Sequence, residues 1–252
     1  MLNVPSAIAQ SSEFNHFGVS LGAFVTERNS KVQLNGSIPD SGTPVDLESD
    51  LGLDSSSSVF RLDGHYRFNE KHRLDFSVFD LSRSSSKQIQ IEIDWDDVVY
   101  PIDTVLSTNF DLKIYKLAYT WSFMQGEKGY LGVTGGLYVA DIGTRLAAES
   151  IGERSGNGLT AILPVVGVRG QYDFTDKWSL RGSTEFFALE YGDYDGSLFD
   201  IYGGVHYRIR DGIAVGLGFN TVRLSVGVSK PRFNGDLNWR YTGGLLSMSF
   251  DF

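Results

Sequence analysis

The chain has 252 residues, 41% of them hydrophobic and 13% aromatic, with 29 glycines, 6 prolines and no cysteine. A formal net charge of −9 argues against nonspecific binding to nucleic acid, and the lack of cysteine excludes a disulfide framework or a thiolate metal site. No run of about 18 apolar residues occurs, so a transmembrane helix is excluded, and the length suits a single domain.

The chain begins with a segment that has no alternating pattern. Ala7-Ile8-Ala9 followed by Gln10 fits the small-x-small pattern of a signal-peptidase site, so residues 1–9 read as a signal-peptide remnant or a disordered terminus. From residue 14 onward, apolar and polar residues alternate with period two, the mark of a strand between unlike environments. Ten strands are predicted at 14–27, 56–69, 72–93, 104–124, 129–146, 160–175, 177–190, 197–210, 212–228 and 236–252.

Their connections alternate between two kinds. Asn69-Glu70-Lys71, Gln125-Gly126-Glu127-Lys128, Thr175-Asp176-Lys177 and Arg210-Asp211-Gly212 are short, whereas 28–55, 94–103, 147–159, 191–196 and 229–235 are longer. Short turns at one end and longer loops at the other are the asymmetry of outer-membrane barrels, whose short turns are periplasmic and long loops extracellular. An even strand number returns both termini to the same side. The expected fold is therefore all-β: a transmembrane, antiparallel, up-and-down barrel of ten strands over residues 10–252, in the bacterial outer membrane.

The outward face near the short turns holds Phe17, Leu21, Phe60, Leu62, Tyr115, Leu117, Val166, Val168, Leu217 and Phe219 among others. Aromatics gather beside the short turns (Tyr66, Phe68, Trp121, Phe123, Tyr172, Phe174, Trp178, Tyr207) and suggest one girdle at headgroup depth. Phe186, Phe199, Trp239 and Tyr241 are candidates for a second. Segment 104–124 breaks the pattern: Leu106, Phe110, Leu112 and Ile114 are out of phase with Tyr115, Leu117 and Tyr119. Either a β-bulge near Ile114 repairs the register, or the strand's far half stands above the bilayer, as a similar drift after Val78 also suggests.

The ending Leu246-Ser247-Met248-Ser249-Phe250-Asp251-Phe252 alternates and stops on phenylalanine. It resembles the signal, carried here by Phe250 and Phe252, by which the barrel assembly machinery recognises outer-membrane proteins. Residues 14–252 resemble a group of small proteobacterial outer-membrane barrels without settled function. The motifs concerned are Val45-Asp46-Leu47 with Asp50-Leu51-Gly52-Leu53, His65-Tyr66-Arg67-Phe68, Phe79-Asp80-Leu81-Ser82-Arg83 and Asp193-Tyr194-Asp195-Gly196-Ser197. More distantly the chain is similar to the OmpA and OmpW small-barrel classes, though two strands longer. The resemblance implies a fold and a location but no transferable activity.

Inward positions carry Arg61, Arg67, Arg73, Lys116, Arg169, Arg181 and Arg208 against Asp63, Asp75, Asp173, Glu185, Asp200 and Asp251. Buried charge is costly unless paired, so near-balance predicts a charge network across the lumen, with His65 and His206 within it. Arg181 and Glu185 are expected near Asp200 and Arg169 on the flanking strands. The opposing wall is small: Gly216, Gly218, Ser247, Ser249, Gly18, Ser20 and Gly22. Long side chains lie flat on that wall, or it leaves an eccentric gap.

Eight-stranded barrels are filled by side chains and 16-stranded ones are open, so ten strands lie near the closed limit. The expected function is an integral barrel with a largely plugged lumen and a structural or surface-interaction role. The alternative is a narrow porin-like channel for small solutes or ions. No enzyme is expected, since the four histidines (His16, His65, His72, His206) lack a nameable catalytic partner. No cofactor is expected. Acidic loops favour solvation over metal binding, Asp193 and Asp195 being weak calcium candidates. Expected partners are outer-membrane lipid and lipopolysaccharide, with no nucleic acid, and a monomer is the expected state.

Overall fold

Alternation sustained over long stretches leaves no helical face to bury, and the extended chain satisfies its backbone groups only by pairing with neighbouring strands. The computed structural model describes residues 16–35, 42–192, 194–230 and 233–252. The elements are β1 (Phe17–Leu34), β2 (Val45–Asp46), β3 (Ser56–Arg67), β4 (His72–Gln88), β5 (Ile93–Trp95), β6 (Val98–Tyr100), β7 (Val105–Gly126), β8 (Gly129–Ala148), β9 (Glu153–Asp173), β10 (Trp178–Tyr191), β11 (Tyr194–Arg210), β12 (Ile213–Lys230) and β13 (Phe233–Asp251). Ten of them, β1, β3, β4 and β7 to β13, pair antiparallel in chain order. The sheet closes where β13 pairs with β1, from Gly18↔Asp251 to Leu34↔Gly235. Closure leaves no edge strand in the half nearer the short turns, while towards the loops the β3–β4 ladder stops at Arg61↔Phe79 and the β9–β10 ladder at Phe186↔Val166. The cleavage motif expected at Ala7-Ile8-Ala9-Gln10 lies outside the described residues.

Short turns at one end use local chemistry. Asn69 Oδ1 accepts from the backbone N–H groups of Lys71 (2.9 Å) and His72 (3.0 Å), and Thr175 Oγ1 accepts from those of Lys177 (3.2 Å) and Trp178 (3.0 Å). Gly212 closes the last such turn at φ +74°, a conformation that costs glycine nothing. At the opposite end only the first two connections are long. Of the stretches expected as loops, 147–159 narrows to the residues between Ala148 and Glu153, and strands extend into 191–196 and 229–235, because β8 to β13 run on beyond the apolar band.

That extension rests on an inversion of polarity. Outward residues change from apolar to polar at one level: Val78 to Asp80 on β4, Tyr115 to Lys113 on β7, Val139 to Asp141 on β8, Phe219 to Thr221 on β12. Inward residues change the opposite way near the same level, from Ser77 to Phe79, Lys116 to Ile114, Asn220 to Val222 and Asp200 to Leu198. Below it, a ring of apolar side chains is exposed, among them Leu21, Phe60, Leu62, Leu117, Val166 and Leu217. Such a band is what hydrocarbon requires of a barrel wall. Above it, Phe24, Phe79, Phe110, Leu112, Leu163, Leu224, Trp239 and Tyr241 are buried in a core inside the barrel.

No bulge occurs near Ile114. Residues 107–122 of β7 keep one unbroken register with β8, and the irregularity lies at Ser122/Met124 instead. The phase jump is thus the polarity inversion itself. The same inversion overturns the expectation for Trp239 and Tyr241, which pack inside the barrel at 2% and 4% exposure instead of joining an outer girdle. Phe186 and Phe199 do face outward.

Two long loops cover this core. Val45, Leu47, Leu51 and Leu53 dip into it from the first, and Ile93, Trp95 and Tyr100 from the β5–β6 hairpin of the second. Asp96 and Asp97 take left-handed φ values of 54° and 64°, the geometry of a tight hairpin turn. Glu48 clamps the first loop to the wall: Arg83 Nη1 pairs with its Oε1 at 2.5 Å, and Ser30 donates from its N–H (2.8 Å) and hydroxyl (2.9 Å). Burial raises the Asp46 carboxyl, but hydrogen bonds from Ser49, Asn29 and the Glu48 N–H outweigh it and hold the group below its ordinary range. Thr43 and Asp94 then join the two loops, each N–H bonding to the other residue at 2.9 Å.

Adjacent residues on β7 should therefore respond oppositely. Phe110→Ala empties part of the upper core and should cost about 3–5 kcal/mol, whereas Asp111→Ala on the outer face should change stability by less than about 0.5 kcal/mol. Reversible denaturant unfolding in detergent measures both. Equal effects would contradict the inversion.

Candidate functional site

Below the apolar core the lumen is polar, and the strand period places its charges. Arg61 and Asp63 on β3, Arg73 and Asp75 on β4, Lys116 on β7, Arg169 on β9, Arg181 and Glu185 on β10, and Asp200 on β11 all sit on the inner face. A chain of alternating charge crosses the barrel. Arg73 Nη2 lies 2.6 Å from Asp75 Oδ1, Arg169 Nη1 lies 3.5 Å from the same oxygen, and Arg169 Nη2 lies 3.8 Å from Glu185 Oε1. Lys116 Nζ pairs with Glu185 Oε2, and its charge lies 5.1 Å from the Tyr138 ring centre.

Tyr138 and Asn220 join this chain to the core above. The Tyr138 hydroxyl sits between Glu185 Oε2 at 2.8 Å and Asp200 Oδ2 at 2.6 Å. Asn220 Nδ2 donates to Asp200 Oδ1 (2.6 Å) and Ile201 O (2.7 Å), while its Oδ1 accepts from Tyr241 (2.6 Å) and Arg61 Nη1 (3.1 Å). All four of that amide's bonding directions are used, so it is locked in one orientation. Arg61 Nε also donates to Asp63 Oδ1 at 2.8 Å. Tyr138 and Asn220 do not stand out in the sequence, where only the inward parity of their positions marks them, and Tyr241 reads there as a girdle aromatic.

Of the two pairings expected for β10, one forms. Glu185 meets Arg169, and Lys116 as well. Arg181 does not meet Asp200, whose oxygens are taken by Tyr138 and Asn220. Arg181 borders a lumen cavity of about 120 Å³ shared with Arg61, Arg73, Arg169, Lys116 and the carboxylates of Asp63, Asp75, Asp200 and Asp251. Its Nε is buried with no hydrogen-bond partner, as are Glu185 Oε1 and His206 Nδ1. Atoms of this kind around a polar cavity mark hydration sites, and the volume is large enough for several waters.

The remaining predicted residues lie nearer the short turns. His65 Nε2 is 3.7 Å from Asp251 Oδ1, and His206 Nε2 is 2.8 Å from the Tyr202 hydroxyl. Arg67 lies over the Tyr130 ring at 5.9 Å, and Asp173 accepts from Gln171 Nε2 at 2.9 Å. Arg208 is exposed at the rim and joins no lumen pair among the described residues. The small wall serves rings, not arginines: a Cβ at Gly216 would collide with His206, at Gly218 with Tyr202, and at Gly18 with His65. At the C-terminus Phe250 is half-buried and faces outward in register with Val19 and Ile213, while Phe252 stacks on Phe17 at 6.4 Å. Asp193 lies outside the described residues, Asp195 is exposed, and among the described residues no group of three or more acidic or histidine side chains is arranged to hold a metal.

Comparison with known proteins supports the fold. The outer membrane protease OmpT from Escherichia coli superposes with a TM-score of 0.62 at 10% identity, covering 94% of this chain and 97% of that one. The attachment invasion locus protein Ail of Yersinia pestis matches with a TM-score of 0.41 at 10% identity, over 92% of this chain and 99% of its own. Neisserial surface protein A matches at 0.37 and 14% identity, over 94% and 97%. No protein-family model and no curated protein matches the sequence. At such identity the likeness to OmpT is one of fold: an all-β, closed, antiparallel ten-stranded barrel.

Glu185, at 1% exposure, holds two cations and a tyrosine hydroxyl together. Glu185→Ala would leave buried Lys116 without its counter-ion and Arg169 with Asp75 alone, an expected loss of about 3–5 kcal/mol. The thermal midpoint in detergent, followed by circular dichroism, should fall clearly. An unchanged midpoint would mean that water screens the survivors and that the lumen is a hydrated pore.

Proposed function

We propose that this protein is a non-catalytic outer-membrane barrel whose lumen is stoppered, with its biological role carried by its two exposed ends and its lipid-facing wall. The supporting observation is the apolar core in the loop-end half of the barrel, where Phe24, Phe79, Phe110, Trp239 and Tyr241 are each no more than 5% exposed beneath two inserted loops. An ion crossing that layer would leave water for hydrocarbon-like surroundings at a cost of many kcal/mol. The charge network below acts as a polar filling that keeps the inner half of the barrel from collapsing, not as a conduction path.

A narrow channel remains the second reading, favoured by the lumen cavity and its surplus of cations over carboxylates in the lining. Planar-bilayer recording separates the two. The stoppered barrel should show no stable conductance steps, and anion-selective steps would make the channel the better account.

In the proposed orientation the short turns are periplasmic and the two inserted loops lie outside the cell. The absence of native cysteine makes this simple to test. Glu92→Cys, exposed in the second loop, should react with a membrane-impermeant maleimide in intact cells. Lys128→Cys, in the β7–β8 turn, should react only after permeabilisation. The reverse pattern would invert the assignment.

A further inference from the structure

Arg223 on β12 and Arg240 on β13 stand directly opposite each other on the outer face of the barrel. Like charges in that position repel and destabilise a ladder. Both side chains are exposed, and neither makes a hydrogen bond or ion pair with any described residue. Elsewhere at this boundary charge is offset, as where Lys113 Nζ lies 3.8 Å from Asp80 Oδ2. Glu27 on β1 is diagonal to Arg240 yet makes no ion pair with it, and Asp195 and Asp236 flank Gly227, further towards the loops.

Depth adds meaning to the pair. From Ile213, at the short-turn edge of the apolar band, to Arg223 is ten residues of one strand. At about 3.4 Å per residue and a tilt near 40° that is roughly 26 Å, close to the ~25 Å height of a barrel's apolar band. The two guanidiniums therefore stand at the headgroup boundary on the loop side. Directly beneath them the Thr221 and Thr242 hydroxyls are 2.7 Å apart, and beneath those Gly244 lies between Phe219 and Val25. Nothing is within 4 Å of where a Gly244 Cβ would stand, and Phe219 and Val25 are both exposed. An open apolar slot thus lies below the two unpaired cations.

We propose that Arg223 and Arg240 bind a phosphate of lipid A, the membrane anchor of lipopolysaccharide, with one of its acyl chains lying in the slot over Gly244. Two guanidinium forks on directly opposed strand positions match the multiple oxygens of a phosphate, and a bridging dianion turns their repulsion into attraction. Lipid A supplies phosphate and acyl chain in one molecule, at the depth where the two features meet. The assignment to this lipid rests on the proposed orientation, which puts the face in the outer leaflet. The binding test below is made in micelles and does not depend on it, whereas the cysteine labelling does.

The full chain is refolded in lipopolysaccharide-free zwitterionic micelles and titrated with bisphosphorylated lipid A, dephosphorylated lipid A or phosphatidylglycerol. Bisphosphorylated lipid A should raise the melting temperature of the unaltered protein, and the other two should do so much less. The double variant Arg223→Gln/Arg240→Gln should bind it at least about tenfold more weakly, since each charged contact is worth about that factor or more. Without lipid the same variant should melt at or above the parent temperature, because the repulsion is gone. A purely structural role for the arginines predicts the opposite sign. The single variant Arg240→Gln, expected to be intermediate, serves if the double variant does not refold. An equal response in parent and variant, or to phosphorylated and dephosphorylated lipid, would overturn the site, and an equal response to phosphatidylglycerol would overturn the choice of lipid A.

Discussion

The structure depends on one constraint: a closed sheet that leaves the hydrocarbon must exchange its two faces. Inside the bilayer, apolar residues gain nothing by turning inward, since lipid is as apolar as any core, and the backbone is satisfied by closure alone. Beyond the bilayer the hydrophobic effect returns, and the same strands must hide apolar side chains from water. The β4–β7 and β7–β8 ladders run unbroken through the change, whereas the β3–β4 ladder ends at Arg61↔Phe79 and the β9–β10 ladder at Phe186↔Val166. On β7 the change takes one step, Ile114 facing in and Tyr115 facing out. The upper half of the barrel is built like a soluble protein and the lower half like its inverse.

Closure follows from the same inversion. A ten-stranded wall is too wide for wall residues alone to fill above the membrane, so Leu47, Leu51, Trp95 and Tyr100 come from the loops to complete the core. Bringing a loop inside costs backbone hydrogen bonds to water, and these are replaced by the Glu48 clamp and by ladder-like bonds such as Leu47 N–H to Ser30 O at 2.9 Å. Beneath this plug the wall cannot use apolar fill without losing the contrast between its faces. It uses charges instead, which hold the interior by pairing across it, Lys116 and Arg169 on Glu185, and Arg73 and Arg169 on Asp75.

How much of this was legible follows from which signal each part leaves. The lower strands are plain because lipid-facing and lumen-facing residues alternate with period two, so Leu117, Tyr119 and Trp121 announce their side, and the short turns announce their ends. The upper strands carry alternation of the same period with the sign reversed, and a reader looking for an outward apolar face trims them into loops. Trp239 and Tyr241 look like girdle aromatics for that reason. The lumen charges could be placed by parity, but their partners could not, because pairing depends on register between strands and on neutral mediators. Asp200 turns to Tyr138 and Asn220, leaving Arg181 to the cavity, a choice fixed by side-chain reach across the barrel and by nothing local in the sequence.

Height also sorts the charge. The two long loops carry Asp46, Glu48, Asp50 and Asp54, then Asp94, Asp96, Asp97 and Asp103, so much of the net −9 stands beyond the membrane boundary. The lumen is near balance, and the unpaired outward cations Arg223 and Arg240 stand at the boundary itself. Debye screening at physiological salt acts over about 8 Å, roughly the rise of three strand residues after tilt. Acidic groups more than a few residues above the arginines therefore do little to repel a phosphate below them. A strongly acidic chain can meet an anionic lipid because what the lipid feels is the charge at its own depth, and that charge is set by which strand positions cross the headgroup plane.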